Sequence, residues 1–294
     1  MRPAFPVLAA LALLFNAGVW GVSWWPFRQL QALGVHPLWA TALIYGFSLL
    51  CLLVARPGAL RGLADHPALW WLMLASGMTN VGFNWAVTVG DVVRVVLLFY
   101  LMPAWSILLA WWLLGEKPAI GSLLRLMLAL VGVMVVLKTP DSPWPVPETA
   151  ADALALVGGF SFALTNVLLR KLHATPDASR ALAMFSGGAF MALAVALAGL
   201  VQGMVSPLPA PSAAWLLVAL GLSGAFLVGN LALQYGAARL AAHSTALIML
   251  SEVVFASVSA VLLGATELTG RTLAGGCLIV AAAGLAAWPS RRPV

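Results

Sequence analysis

A carboxylate stands deep inside an apolar run. Glu252 lies in Ala242–Thr269 (AHSTALIMLSEVVFASVSAVLLGATELT), about nine residues into a membrane span and roughly 14 Å deep at helical rise. A charged side chain there costs about 2.5–3.5 kcal/mol on insertion scales, so it must face a wet cavity or carry a proton. It would serve either to hold a substrate amine or to couple movement to protons. The structural alternative is a carboxylate tied to Ser251 or to a neighbouring amide. Around it the sequence offers amides and aromatics. Asn80 and Asn84 are four apart and share a helical face, as do Asn230 and Gln234. Buried amides either join helices, at about 0.6 kcal/mol each, or line a cavity. Asn16, Trp20, Ser23 and Trp24 fall on one broad face of the first span, and Phe162, Thr165 and Asn166 on the sixth. Such a lining suits zwitterions with apolar or aromatic side chains.

Phe83, Phe99 and Tyr100, with Trp20, Trp85 and Trp105, are the aromatic pocket candidates. Trp25, Trp70, Trp71, Trp111, Trp112, Trp215 and Trp288 fall near span ends, where an interfacial belt accounts for them, as it does for Trp24 outside its pocket role. Pro103 interrupts the run VVRVVLLFYLMPAWSILLAWWLLGEK (Val92–Lys117) near its middle, as a kink or as a hinge. Other chemistries find little support. Gly221-Leu222-Ser223-Gly224 has the form of an intramembrane serine protease, but His243 opens the next span at another depth. The four histidines lack ligand spacing, and Cys51 and Cys277 lie in apolar runs as packing residues. No cofactor, metal or ATP motif is expected, and no enzyme; a gradient would supply any energy.

Elements must carry these residues across lipid. Of 294 residues 63% are hydrophobic and 8% charged, against about 25% charged in a soluble domain. The chain therefore reads as an all-α integral membrane protein of about ten spans. They run approximately Phe5–Phe27, Leu38–Ala55, Ala68–Val89, Val92–Leu114, Ala119–Leu137, Ala150–Leu169, Arg180–Val201, Ala213–Ala237, Ala241–Leu263 and Thr272–Trp288. The first is long enough to remain as a span, unlike a cleaved leader. A proline-rich connector, Thr139–Pro147, divides the chain, giving units 1–138 and 150–294 about a linker at 139–149.

With the N-terminus inside, eleven basic residues fall on the cytoplasmic side, from Arg2 to Arg292, and Arg28, Arg94, Lys138 and Arg271 on the other. Both termini are thus expected in the cytoplasm. That distribution also explains the net charge of +6 without a nucleic-acid partner. Arg94 is expected to pair locally with Asp91, Arg125 to snorkel to headgroups, and Glu116 and Lys117 to end a helix away from substrate.

The two units repeat. WGVSWWPFRQL (Trp20–Leu30) aligns with FALTNVLLRKL (Phe162–Leu172), pairing Arg28 with Arg170. Asn80, Asn84 and Trp85 align with Asn230, Gln234 and Tyr235, always 150 residues on. Pro103 and Glu252 each stand twelve residues before a glycine, Gly115 and Gly264. Five spans is an odd number, so the second unit lies inverted, with the site near the midplane between the halves.

Trp20-Gly21 with Arg28, YLMPAW (Tyr100–Trp105) with Leu114-Gly115-Glu116, and LSEVVFA (Leu250–Ala256) together resemble the drug/metabolite transporter superfamily, specifically a protein of two EamA-type repeats. Gly264-Ala-Thr-Glu267 departs from the family's usual Gly-Glu by two residues. YLMPAWSIL also resembles the superfamily's aromatic amino-acid exporters. The resemblance implies ten helices in two inverted five-helix bundles around a central cavity, exporting amino acids or other small metabolites by alternating access. Efflux of cationic aromatic drugs is the second expectation, and a non-transporting membrane scaffold a third. Expected partners are a small-molecule substrate, the lipid of a cell inner membrane and, through Glu252, protons. Two fused repeats can enclose a pathway in one chain, so a monomer would suffice.

Overall fold

Apolar runs too long for any soluble core become helices, because within lipid only the helix satisfies each backbone N–H and C=O internally. The computed structural model describes residues 4–89, 95, 98–137, 147, 149–263 and 270–287, and these form twelve helices. They are α1 (Ala4–Ala32), α2 (Pro37–Ala55), α3 (Ala59–Asp65), α4 (Leu69–Val89), α5 (Met102–Leu114), α6 (Ile120–Leu137), α7 (Ala150–Lys171), α8 (Asp177–Val201), α9 (Ala213–Ala237), α10 (Ala242–Met249), α11 (Glu252–Leu262) and α12 (Gly270–Ala287). The expected Asp91–Arg94 pair and the stretch Gly264–Glu267 lie outside the described residues. So do Trp288, Arg2, Lys138, Arg291 and Arg292, and the connector apart from Pro147.

Side chains facing outward are apolar. Val54, Trp112, Ile120 and Leu262 are each more than three-quarters exposed, a surface suited to hydrocarbon and not to water. Among the described residues six helical segments are long and apolar enough to cross a membrane, one of them the combined α10–α11 run.

The structure differs from the sequence reading in one span end, one added helix and two broken spans. The first span does not close at Pro26 and Arg28: α1 carries Pro26 inside it and continues to Ala32. Proline is tolerated in a membrane helix where neighbours satisfy the carbonyl it frees. The stop comes instead at Gly34, whose φ of 86° lets Val35 N–H reach back to Leu30 O at 2.9 Å. Between the second and third spans an extra short helix, α3, occupies Ala59–Asp65.

The largest difference concerns the fourth and ninth spans, which are broken. Tyr100-Leu101 form a turn before α5, and Leu250-Ser251 form one before α11, two breaks 150 residues apart. Pro103 is consequently not a mid-helix kink. It sits in the first turn of α5, where its missing N–H removes no helical hydrogen bond. In the second break the Ser251 hydroxyl donates to Ile248 O at 2.7 Å, offering that carbonyl a local alternative to helix continuation.

Helix pairing follows an inverted duplication. α1 packs along α9 and α4 along α7, the first span on the eighth and the third on the sixth. α2 pairs with α8 and α6 with α12, the second span on the seventh and the fifth on the tenth. Exchanging the two units leaves this set of pairs unchanged, as a two-fold axis in the membrane plane requires.

Candidate functional site

The two broken spans meet at the centre. Tyr100, from the first break, is buried and hydrogen-bonded to Glu252, the first residue of α11. Each break presses a backbone carbonyl against a glycine of the other unit. A Cβ at Gly21 would lie 2.7 Å from Glu252 O, and one at Gly159 would lie 2.5 Å from Phe99 O. Only glycine admits that approach.

Above this floor opens a cavity of about 630 Å³, within the range of small-ligand pockets. Its walls come from both units. α1 contributes Trp20, Ser23, Trp24 and Phe27, α4 contributes Phe83 and Asn84, and α11 contributes Val253, Ala256, Ser257 and Ala260. Trp24 Nε1–H donates to Ser259 Oγ at 2.9 Å and ties α1 to α11. The mouth holds Arg28, Gln31 and Pro37, at the end where α1 finishes and α2 begins.

The opposite end, where α7 finishes and α8 begins, is packed shut. Arg170 Nε lies 3.6 Å from Glu116 Oε1, and Arg170 Nη1–H donates to Ala238 O at 3.3 Å. Arg180 is 1% exposed and donates to the carbonyls of Leu172, His173 and Thr175, with Asp177 as its carboxylate partner. Glu116 therefore does more than end a helix: it joins the two units. Gly115, at φ 68°, ends α5, and Glu116 N–H bonds Ala110 O at 3.2 Å, so the Gly-Glu-Lys-Pro stop folds as the sequence suggests.

Of the site residues read from the sequence, Trp20, Ser23, Trp24, Phe83, Asn84, Tyr100 and Glu252 come together around the cavity. Seven lie elsewhere, bonded within their own helix or to a neighbouring one, or simply packed. Gln234 Nε2–H donates to Asp177 O at 3.0 Å near the closed end. Asn80 and Asn230 give N–H groups to Ser76 O and Phe226 O, and both side chains meet the Tyr45 hydroxyl. Asn16 Nδ2–H points at Met249 Sδ, 3.5 Å away, and Thr165 donates to Ser161 O. Phe162 packs on Phe99, ring centroids 5.9 Å apart, and Asn166 is fully buried with neither amide atom hydrogen-bonded. Pro103 is buried in α5 below the cavity lining.

Trp105 lines a separate apolar hollow of about 430 Å³ with Trp71, Met78 and Phe160. The Arg125 guanidinium donates to Gly121 O and Leu285 O. Ser223 donates to Ala219 O at 2.7 Å, a helix-internal bond. Among the described residues no cluster of three metal-ligating side chains occurs. Sequence reasoning passed over Arg28, Gln31, Phe27 and Ser257 as lining. Small residues at Val253, Ala256, Ser257 and Ala260, spaced one, four, five and eight after Glu252, were the available signal for that wall.

The family model described as "EamA-like transporter family" matches residues 7–138 and again 149–288. One solved structure, described only as a crystal structure of a protein, is 18% identical with a TM-score of 0.78, covering 95% of this chain and 96% of its own. At that identity the likeness concerns the fold alone. No curated protein matches the chain.

Proposed function

The chain belongs to the EamA-like transporter family, whose members move small molecules across membranes, and from that premise we propose that it exports amino acids, aromatic or neutral ones foremost, across a cell inner membrane. The observation that carries the reading is the partly exposed Glu252 at the floor of an aromatic-walled cavity shared by both units. A carboxylate there binds an ammonium group, while Trp20, Trp24, Phe27 and Phe83 supply apolar contact for a side chain. Asn84 and Ser23 add neutral hydrogen-bonding groups.

With both termini cytoplasmic, the mouth at Arg28 faces outward and the Glu116–Arg170 end faces the cytoplasm. The molecule then stands in the outward-open state of an alternating-access cycle. Opening the cytoplasmic side requires the α5–α7 contact to part, with the breaks at Tyr100-Leu101 and Leu250-Ser251 as hinges beside Pro103 and Glu252. The units 1–138 and 150–294 are the moving bodies, and one chain provides the whole route.

Counterflow in proteoliposomes tests this. Vesicles preloaded with unlabelled amino acids should accumulate labelled phenylalanine, leucine or tryptophan, and Glu252→Gln should abolish accumulation while the protein still inserts. A second reading, efflux of cationic aromatic drugs, is favoured by the acidic floor; exchange of such cations without amino-acid exchange would establish it. Full amino-acid exchange by Glu252→Gln would remove the carboxylate from the mechanism.

A further inference from the structure

Arg28 and Arg170 occupy related places in the two units but have different company. Arg170 is engaged by Glu116 and by Ala238 O. Arg28 is exposed at the cavity mouth, with its guanidinium carbon 5.9 Å from the centroid of the Trp24 ring and no ion pair or hydrogen bond among the described residues. Gln31, three residues on along α1, also lines the mouth and can supply amide N–H donors. Among the described lining residues Glu252 is the one acid, and it lies at the floor. A guanidinium fork without a counter-ion, at the rim of a low-dielectric cleft, is built to take a carboxylate in two parallel hydrogen bonds.

The spacing separates this group from the floor. Gly21 is level with Glu252 and Phe255, touching both through its missing side chain. Arg28 stands seven residues further along the same helix, about 10 Å at helical rise. The residues that carry the two charges are thus rooted at different levels of one cavity, Arg28 toward the mouth and Glu252 at the floor. Resting on the cavity as the substrate path, we infer that Arg28, assisted by Gln31, forms a carboxylate-binding subsite at the mouth, distinct from the amine-binding floor at Glu252. A zwitterion meets the two in succession. Arg28 is then the residue that separates amino acids from simple amines.

The test compares labelled phenylalanine with phenethylamine, its decarboxylated analogue, in counterflow by wild-type protein, Arg28→Gln and Arg28→Lys. The half-saturating concentration of phenylalanine should rise about tenfold in Arg28→Gln, the loss of one charge-assisted contact. That of phenethylamine should stay within about twofold, showing that the variant is folded and competent. Arg28→Lys should recover part of the loss. Equal losses for both compounds, or none for either, would overturn the subsite. If wild-type protein carries phenethylamine but not phenylalanine, the subsite falls and cation efflux stands. If it carries neither, subsite and amino-acid export fall together.

Discussion

The two ends of the molecule are built from related helices and behave differently. At the α7–α8 end, Arg170 engages Glu116 of the first unit and a carbonyl of its own unit, and Arg180 is buried among further carbonyls of the second unit. At the α1–α2 end the related arginine has no ion pair among the described residues and stands beside Trp24 over a cavity of about 630 Å³. The difference lies in partners and not in residue type. One inverted repeat holds its basic group in an ion pair and the other presents it at the mouth of a cavity.

The strongest challenge to that comparison comes from the glycines under the breaks. Gly21→Val and Gly159→Val each place carbon within 2.7 Å of a carbonyl from a broken span, and each should reduce counterflow by about a hundredfold or more. Retained transport in either would mean that the breaks do not pivot on those contacts. Next in size is Arg180→Ala. Leaving the carbonyls of Leu172, His173 and Thr175 without their shared donor at the sealed end should destabilise the protein by about 1–3 kcal/mol, read as a lowered unfolding midpoint in detergent. Arg28→Ala at the open end should leave the midpoint unchanged, and an equal fall in both would erase the contrast.

A subtler change is expected from Glu116→Gln. Its carboxylate and Arg170 are each about a third exposed, so their pairing is worth at most about 1 kcal/mol after solvent screening, a several-fold shift in population. With Cys51 and Cys277 replaced, a cysteine at fully buried Thr245 should react slowly with a hydrophilic maleimide and several-fold faster in the Glu116→Gln background. A cysteine at Ser257, on the cavity wall, should react readily in both. The smallest effect belongs to Trp24→Phe, which removes the Ser259 hydrogen bond, worth about 1 kcal/mol, and should lower thermal stability slightly without altering Ser257→Cys labelling.

The spans and the inverted duplication were legible because hydrophobic run length and odd span number are properties of the chain itself. So was the end of α5, since Gly115 carries its left-handed conformation in its residue type. The breaks at Leu101 and Ser251 were not. Turn backbone in an apolar run leaves no periodic mark, and its orphan groups are answered by packing far away in sequence. Amides were ambiguous for a similar reason. Asn84 faces the cavity while Asn80, one turn earlier on α4, faces Ser76 O and Tyr45. Gln234 matches Asn84 in the repeat, yet a nearby carbonyl of Asp177 claims it. Arg28 was counted as a surface charge, because its place at the mouth depends on α1 running on past Pro26.

Tyr45 has a consequence of its own. Where α2 crosses α8, its ring lies against Gly188, so close that a Cβ there would sit 2.5 Å from the ring. A self-pairing copy of 1–138 would carry the Tyr45 ring without the Gly188 recess that receives it, and a self-pairing copy of 150–294 the recess without the ring. Fusion into one polypeptide lets each copy diverge and fit the other. Severed and re-expressed as a self-pairing half, neither 1–138 nor 150–294 should assemble, whereas the two fragments together should.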